Sequence, residues 1–493
     1  MRNVRSGQTS AYLTVYLTLI MTVVLSLYLA LVESARQSAF FMEAECVTDV
    51  GLNSVMAEYH RELLAQYNLF GVDSSYGTAM PSSDVTEGRL NAYIGRNLSK
   101  DDVFLDWLLY RDFVGGSVAG VELSKVRYLT DDNGAVFRRR AVEAVKDDLN
   151  LDLLEDLQEW MEVIESEGLT ERDVAAEKRK LDKELDSYDG KKVYITETEW
   201  ITVDVTNPTA ALEKIRRNGI LNKIVSNPAG LSKKSISTIN LFESRSKSGR
   251  INQGNMPLEE ARETDVVLEK FLFQEYLMRY MGHYGAEAGE SALSYQIEYL
   301  IAGQSNDTNN LRMVTEAILA IREVANTIYI SSDQECCMVA DIAATILTYL
   351  MCIPEAKDIV KWILLFGWAY AESIYDMQCL MAGERVPLLK NKQTWHYDLE
   401  AALCLSASVS DNVGSNIQGL SYADYLRVLM WMQKQNKLIM RAINMVEADI
   451  RMTEGNANFR LDGCMDGIEA EVQFSNAFGY ECRITRKKGY HTQ

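Results

Sequence analysis

Two acidic residues, Glu372 and Asp376, lie four positions apart in an apolar stretch whose pattern is typical of a helix. This spacing places both carboxylates on one face of the helix, and carboxylate pairs carry out general acid–base catalysis in many hydrolases. Glu298 and Arg322 each interrupt a further apolar stretch. These four residues are therefore the candidates for catalysis or for buried ion pairs.

A structural interpretation of the same four residues is favoured. An isolated charge inside an apolar helix is costly to bury, so pairing with an opposite charge is expected. Glu298 with Arg322 would form one such ion pair, and Glu372 with a basic residue would form another. Helix capping, metal binding and a hydrolase centred on Glu372 and Asp376 stay open as alternatives.

Other recognisable sites of chemistry are absent from the sequence. It contains no GxSxG, P-loop, HExxH or dinucleotide-binding motif, each of which has a defined mechanism. The four histidines are far apart and the eight cysteines include no CxxC pair, so neither a metal nor another cofactor is expected. The sequence therefore predicts a protein that is not an enzyme.

The charge balance and the cysteines limit the partners and the redox state. The 70 acidic residues outnumber the 50 basic ones, which gives a formal net charge of −20 at pH 7. Nucleic-acid binding depends on basic patches, so no nucleic-acid partner is expected. Cys464 and Cys482 flank a predicted β-hairpin and would pair only in an oxidising compartment, and whether they do stays open.

The N-terminal segment is predicted to cross a membrane. Residues 11–32 are uncharged and mainly apolar, with two arginines before them and Glu33 after them, and about 20 such residues suffice to span a bilayer. Basic residues before the segment favour a cytoplasmic N-terminus. We therefore expect a single-pass protein of the cell membrane, with a cytoplasmic tail (1–10), a transmembrane helix (11–33) and an extracytoplasmic body.

A cleaved signal peptide is the alternative to this anchor. The apolar region of a signal peptide is about 7–15 residues long and leads to a small-x-small cleavage site. The apolar run here is longer. The candidate sites that end at Ala30 and Ala35 have Tyr28 and Glu33 at the −3 position, which fits poorly, so an uncleaved anchor is favoured.

Small residues recur at every fourth position of the transmembrane segment. They are Thr14, Thr18, Thr22, Ser26, Ala30 and Ser34. In a membrane such a stripe allows a second helix to approach closely, which predicts a packing seam for a partner helix. Alternatively, the hydroxyl groups bond to carbonyl groups of the preceding turn while the stripe faces lipid. Both interpretations stay open.

The elements that follow predict an α+β fold that is predominantly helical. Amphipathic spacing continues the N-terminal helix beyond the membrane, and alternating apolar residues near 118–129 and 468–484 predict strands. The predicted regions are an amphipathic stalk helix (34–71), a mixed α/β region (72–256) with a helical hairpin (135–188) and a mobile linker (226–256), a large helical domain (257–455), and a β-hairpin (456–493) that returns to a small antiparallel sheet.

Two sets of residues carry a resemblance to known families. Arg5, Gly7 and the step Glu33-Ser34-Ala35-Arg36 after the apolar run resemble the start of TadE/TadG-like pilus assembly proteins, whose apolar helix is closed by a Glu-x-Gly/Ala-Arg step. Longer segments resemble a family of unknown function from Gram-positive bacteria. These segments are AEYHRELL (57–64), YNLF (67–70), IEYLIAG (297–303), WAYAESIYD (368–376) and LSYADYL (420–426).

The resemblances imply a role in the bacterial cell envelope. Members of the second family are similar to components encoded with tight-adherence (Tad) pilus and secretion machinery, which implies a pilin-like accessory or assembly component without enzymatic activity. Tyr12 stands at the fifth position after Gly7, where a processed pilin carries Glu, so a major-pilin role is not expected. The implied partners are the membrane, other envelope or pilus-assembly proteins that contact the N-terminal helix, and further copies of the chain.

The alternative function is a membrane-tethered module that binds an extracytoplasmic ligand or a wall polymer. Trp362, Trp368 and Trp395 would be candidates to line its pocket, because ligand pockets are mainly lined by apolar and aromatic side chains.

Overall fold

The computed structural model describes residues 2–78, 80–98, 115–148, 151–194, 199–237, 239–245, 254–258, 266–404 and 419–490. The α-helices are α1 (Arg2–Met56), α2 (Arg61–Tyr67), α3 (Ser83–Leu98), α4 (Asp131–Val145), α5 (Leu151–Ser166), α6 (Val174–Asp186), α7 (Ala210–Asn218), α8 (Leu221–Ile224), α9 (Val266–Tyr280), α10 (Gln296–Ala302), α11 (Asp307–Ser332), α12 (Gln334–Leu350), α13 (Lys357–Met381), α14 (Leu399–Cys404), α15 (Tyr422–Met432) and α16 (Gln435–Met452). The strands are β1 (Val72–Asp73), β2 (Gly116–Tyr128), β3 (Lys192–Tyr194), β4 (Trp200–Thr202), β5 (Gly254–Asn255), β6 (Cys464–Asn476) and β7 (Glu481–Gly489). The fold is therefore α+β and mostly helical, as the sequence predicts.

The chain divides into two compact units. Unit 1 comprises Met1–Arg140, Ser246–Arg262 and Thr453–Gln493, and unit 2 comprises Ala141–Arg245 and Glu263–Met452. The regions predicted from the sequence are consecutive along the chain, whereas each unit combines segments that are distant in sequence.

The main sheet of unit 1 is built around β6. This strand pairs antiparallel with β1, β2 and β7, and β2 pairs in parallel with β5. The hairpin predicted for residues 456–493 is present as β6 and β7. The sheet is mixed rather than wholly antiparallel, because β5 joins β2 in the parallel direction.

The second half of α1 lies in the core of unit 1. Its buried residues pack in one cluster with apolar residues of α3, β2 and β6, and they are Phe40, Ala44, Val47, Leu52, Val55 and Met56. The helix approaches α3 closely at Gly51, where an added Cβ would lie 2.7 Å from Cγ1 of Ile94. The sequence predicts a stalk here, whereas the structure makes this half the core helix of a folded unit.

The helix also ends earlier than the stalk predicted through residue 71, and a separate short helix with its own caps follows it. α1 ends at Met56, and α2 begins after His60, whose Nδ1 accepts a hydrogen bond from the amide of Leu63 at 3.2 Å. α2 ends at Tyr67, and the residue that caps it, Asn68, has a φ of 51°. Asn tolerates this left-handed conformation and commonly ends helices.

Unit 2 is a helical unit in which α13 is the central helix. α11, α12 and α6 all pack against α13, and from Ile363 onward α13 is almost completely buried. A helix that is apolar on all sides is expected in a core, so burial agrees with the sequence pattern of α13.

The region predicted as a helical hairpin (135–188) consists of three helices in the described residues, α4, α5 and α6. Residues 149 and 150, between α4 and α5, lie outside the described residues. α6 packs on α11 and α13 instead of projecting. Lys178, from its highly charged sequence, is buried and forms ion pairs with Asp182 at 2.9 Å and Glu213 at 2.8 Å.

The segment predicted as a mobile linker (226–256) is partly held by backbone hydrogen bonds. It contains a short 3-10 turn at Pro228–Gly230. The amide of Ile236 donates to the carbonyl of Ser305 at 2.8 Å, and the carbonyl of Lys234 accepts from the amide of Asp307 at 3.1 Å. Residues 238 and 246–253 of this segment lie outside the described part of the chain.

Candidate functional site

The first half of α1 has the length and composition of a membrane span. Within Tyr12–Met56, an 18-residue window has a mean hydropathy of 2.4, and none of that window is buried. Its exposed side chains include Leu17, Val24 and Leu31, and exposing such a surface to water is unfavourable. This helix fits a single-pass anchor, and by the same criteria it fits a signal sequence.

The stripe of small residues is exposed along this helix. The hydroxyls of Thr18, Thr22 and Ser26 each donate to the carbonyl oxygen three residues earlier, at 2.8–2.9 Å. Thr14, Ala30 and Ser34 continue this series, which winds gradually around the helix because each step of four residues advances it by about 40°. Because these three hydroxyls are satisfied within the helix, the stripe can face either lipid or a second helix.

Glu33 and Arg36 form the junction between the apolar half of α1 and the folded unit 1. Nη1 of Arg36 lies 2.9 Å from Oε2 of Glu33, and the guanidinium lies 4.0 Å from the ring centroid of Phe478. The hydroxyl of Tyr480 donates to the Glu33 carboxylate. These contacts tie the end of the apolar segment to the turn between β6 and β7.

Four residues form a buried ion cluster in unit 2, here called the Asp376 network: Arg322, Glu372, Asp376 and Lys390. Nε and Nη2 of Arg322 donate to Oδ2 of Asp376 at 3.0 and 2.8 Å. Nζ of Lys390 lies 2.5 Å from Oδ1 of Asp376 and also pairs with Glu372. All four residues are buried, so the two acids and two bases neutralise one another away from water.

Backbone groups complete the Asp376 network. Nη1 of Arg322 donates to two backbone carbonyls at 2.8 and 2.6 Å. The Glu372 carboxylate accepts from the amides of His396 and Tyr397, each at 2.9 Å. A hydrolase centred on Glu372 and Asp376 would require carboxylates that reach a substrate, and these two are closed to solvent.

The charges of the network set the pKa of its central acid. Burial alone would raise the pKa of Asp376, but the charges of Arg322 and Lys390 outweigh burial and hold this pKa below its usual value. The carboxylate therefore stays ionised at neutral pH, which favours a structural ion pair over proton transfer.

Glu298 is not paired with Arg322, because Arg322 of α11 is engaged with Asp376 of α13. Oε1 of Glu298 accepts from the hydroxyl of Tyr422 at 2.8 Å and from the amide of Tyr284 at 2.9 Å. Oε2 has no hydrogen-bond partner among the described residues. Burial without a cationic partner raises the pKa of Glu298 to about 7.

A cavity of about 340 Å³ is lined in part by residues of α11 and α13 and is here called the Tyr370 cavity. Its lining residues are Arg172, Asp173, Val174, Ala175, Arg216, Gly219, Ile220, Glu316, Leu319, Ala320, Glu323 and Tyr370. Arg216 binds the Glu323 carboxylate through both terminal nitrogens, at 3.1 and 2.6 Å. Its guanidinium lies 3.9 Å from the ring centroid of Tyr370.

Two hydrogen-bond donors at this cavity are buried and make no hydrogen bond in the described part of the chain. They are Nε of Arg216 and the hydroxyl of Tyr370. Burial raises the pKa of Tyr370 to about 12, so its hydroxyl stays protonated. Unpartnered buried donors are uncommon in native proteins.

A second cavity, the Trp362 cavity, has a volume of about 450 Å³ and shares Arg172 with the first. Its other lining residues are Glu177, Lys180, Leu181, Glu184, Trp362 and Phe366. Of the three tryptophans proposed to line a pocket, Trp362 lines this cavity, and Trp368 and Trp395 line neither of these two cavities. The indole nitrogens of Trp368 and Trp395 both donate to the carbonyl of Tyr397, each at 2.8 Å.

Within the part of the chain that the structure describes, the remaining candidates for chemistry form no metal site and no disulfide. Among the described residues, no three or more His, Cys, Asp or Glu side chains come together in a group that could hold a metal ion. No disulfide bond joins Cys464 and Cys482. They lie at different registers of the sheet, with Cys464 opposite Asp73 and Cys482 opposite Phe474.

Sequence reasoning missed Lys390, Arg216 and Tyr370. Lys390 follows a turn-rich stretch, and Arg216 lies in a short helix with other charged residues, so neither stands out from a solvated surface. Tyr370 is one aromatic residue in an apolar helix. The packing of α7 against α13 brings Arg216 to Tyr370, and the chain that follows α13 brings Lys390 back to Glu372 and Asp376.

The fold and its cavities thus define a mainly helical α+β protein with one N-terminal helix capable of spanning a membrane. A family of unknown function (DUF5702) matches residues 198–476. The match covers more than half of the chain, so the protein belongs to this family. It includes Arg216, Glu323, Tyr370 and the Asp376 network. No curated protein and no solved structure matches the chain.

Proposed function

We propose that this protein is a membrane-anchored, extracytoplasmic and pilin-like accessory or assembly component of a Tad-type pilus or secretion system. In this proposal it has no enzymatic activity. The cytoplasmic N-terminus and the extracytoplasmic body follow from the basic residues before the apolar segment.

The observation that supports the proposal most strongly is the division of α1 into two halves. The first half is apolar and exposed, and the second half is the core helix of unit 1. A continuous helix transmits position without a flexible linker, so a partner that packs on the first half would hold unit 1 in a fixed place. The Glu33–Arg36 junction with Phe478 and Tyr480 fastens the two halves to the sheet.

The stripe of small residues gives the place where a partner helix would pack. Thr22 lies on the stripe, and Val24 lies about 200° around the helix from it, since each residue advances the helix by about 100°. We place a photo-reactive amino acid at either position in the full-length protein and irradiate native membranes. We expect an adduct with another envelope protein from position 22 and little from position 24.

The control is a strain that lacks this protein, in which pilus assembly or secretion is expected to fall. Absence of any protein adduct from position 22, together with unchanged pilus and secretion output in the deletion strain, would rule the assembly role out. Equal adducts from both positions would mean that the stripe does not select the partner.

One observation favours the alternative function, a membrane-tethered ligand-binding module. It is the pair of cavities in unit 2, in which two buried donors have no partner among the described residues.

A further inference from the structure

The Tyr370 cavity combines space with unmet hydrogen-bonding capacity. The hydroxyl of Tyr370 is a donor at neutral pH and lies on a side chain that is 1% exposed. Nε of Arg216 is a second buried donor that makes no hydrogen bond among the described residues, and the Oε1 atom of Glu213 lies 4.0 Å from it. Leaving such groups unsatisfied is unfavourable, and a cavity of about 340 Å³ has room for far more than one water, whose share of liquid volume is about 30 Å³.

The charges at this cavity disfavour an anionic ligand. Asp173, Glu316 and Glu323 face two arginines, so acidic residues are in excess. Both arginines are already paired: Arg216 with Glu323 at 2.6 Å and Arg172 with Glu177 at 2.7 Å. The unmet donors therefore call for a ligand with neutral oxygen acceptors, such as hydroxyl, ether or amide oxygens.

The Trp362 cavity supplies one exposed aromatic face, that of Trp362, beside the same arginine, while Phe366 is buried. Trp362 is 39% exposed, and its ring centroid lies 5.6 Å from that of Phe366. Exposed aromatic faces pack against apolar ligand surfaces and lose little conformational entropy in doing so. Glu177 and Glu184 line the same cavity and are able to accept hydrogen bonds from hydroxyl groups.

We infer that the two cavities form a binding site for a neutral oligosaccharide. One sugar would direct acceptor oxygens to Tyr370 and Arg216, and another would pack its apolar ring face on Trp362. Sugars carry neutral acceptors, hydroxyl donors and apolar ring faces in one molecule. These groups complement the donors, the carboxylate acceptors and the aromatic face that line the two cavities. This inference rests on the alternative function, ligand binding, and not on the assembly role.

The test is calorimetric titration of the full-length protein in a detergent without a sugar head group. The probes are short neutral oligomers of glucose and of N-acetylglucosamine, with an oligomer of galacturonic acid as the anionic comparison. We expect a neutral oligomer to bind. We expect Tyr370→Phe to weaken its binding about fivefold to tenfold, because one hydrogen bond is lost, and Trp362→Ala to weaken it about tenfold or more.

The matched control is Trp200→Ala, since Trp200 is also exposed in unit 2 (46%) but lines neither cavity. Its affinity is expected to equal that of the wild type. Three results would overturn the inference: no binding of any neutral oligomer, tighter binding of the anionic oligomer, or unchanged affinity in Tyr370→Phe. If no sugar binds while the position-22 adduct still forms, only the oligosaccharide site fails and the assembly role stands.

Discussion

Consecutive residues of α11 serve two different polar regions of unit 2. Arg322 lies in the Asp376 network, where the ion pairs are closed to solvent. Glu323, the next residue, lines the Tyr370 cavity, where two buried donors have no partner in the described residues. α13 contributes to both regions through Asp376 and Tyr370. Burial and charge alone therefore do not identify a binding site. The difference lies in unmet hydrogen bonds beside open space.

The largest expected effect on the free energy of unfolding comes from removing the central acid of the Asp376 network. Asp376→Ala leaves Arg322 and Lys390 buried without their shared partner. Removing one member of a buried ion pair typically costs about 3–5 kcal/mol. We expect the free energy of unfolding to fall by about that amount, as measured by urea denaturation of the detergent-solubilised full-length protein with circular dichroism.

Asp358→Ala is the matched control for this substitution, because Asp358 lies on the same helix and is exposed. It lies in the first turn of α13, where loss of a favourable helix-dipole interaction costs less than about 1 kcal/mol. Equal effects of the two substitutions would show that the Asp376 network does not stabilise unit 2 more than a surface charge does.

Glu298 is an intermediate case, and the pH dependence of stability distinguishes it from Asp376. It is buried like Asp376 but has hydrogen bonds in place of a cationic partner, so its pKa rises to about 7 from 4.5. The folded state then prefers the protonated acid. The contribution of Glu298 to the free energy of unfolding is full below about pH 4.5. It declines by about 1.4 kcal/mol per pH unit between about pH 4.5 and 7, and it is constant above that range.

The measurement is urea denaturation of wild type and Glu298→Gln at pH 5 and pH 8. Gln resembles the protonated acid, so the variant is expected to match the wild type at pH 5. At pH 8 it is expected to be more stable by on the order of 3 kcal/mol. A difference between the two proteins that does not change with pH would contradict the raised pKa of Glu298.

The sequence predicts the helices and strands of these regions better than it predicts the contacts between them. Apolar periodicity is a local property, so it identifies α13 as a core helix and the β6–β7 hairpin correctly. It also marks Glu372, Asp376 and Arg322 as charges in apolar helices. Which charge meets which depends on how α11 packs on α13, and this packing gives Arg322 to Asp376 instead of to Glu298.

The second half of α1 shows a related limit. Its amphipathic spacing is equally compatible with a stalk and with a core helix, because both bury one face. Contacts such as that of Gly51 with Ile94 join residues from separate segments, and the sheet that covers this helix includes the distant strand β6. The break between α1 and α2 is followed by His60, whose side chain caps the start of α2, and apolar periodicity does not encode this break.

The smallest expected effect compares one tyrosine hydroxyl from each region. Tyr425 belongs to the closed region, where its hydroxyl accepts from Nη1 of Arg322 at 3.3 Å, so Tyr425→Phe is expected to lower the free energy of unfolding by about 1 kcal/mol. Tyr370→Phe removes a buried hydroxyl that has no partner in the described residues, so without ligand it is expected to leave stability unchanged or raise it slightly. Urea denaturation of both variants in the absence of sugar measures the difference. A loss in Tyr370→Phe as large as that in Tyr425→Phe would mean that a bound water already satisfies Tyr370, and the two regions would then differ in openness alone.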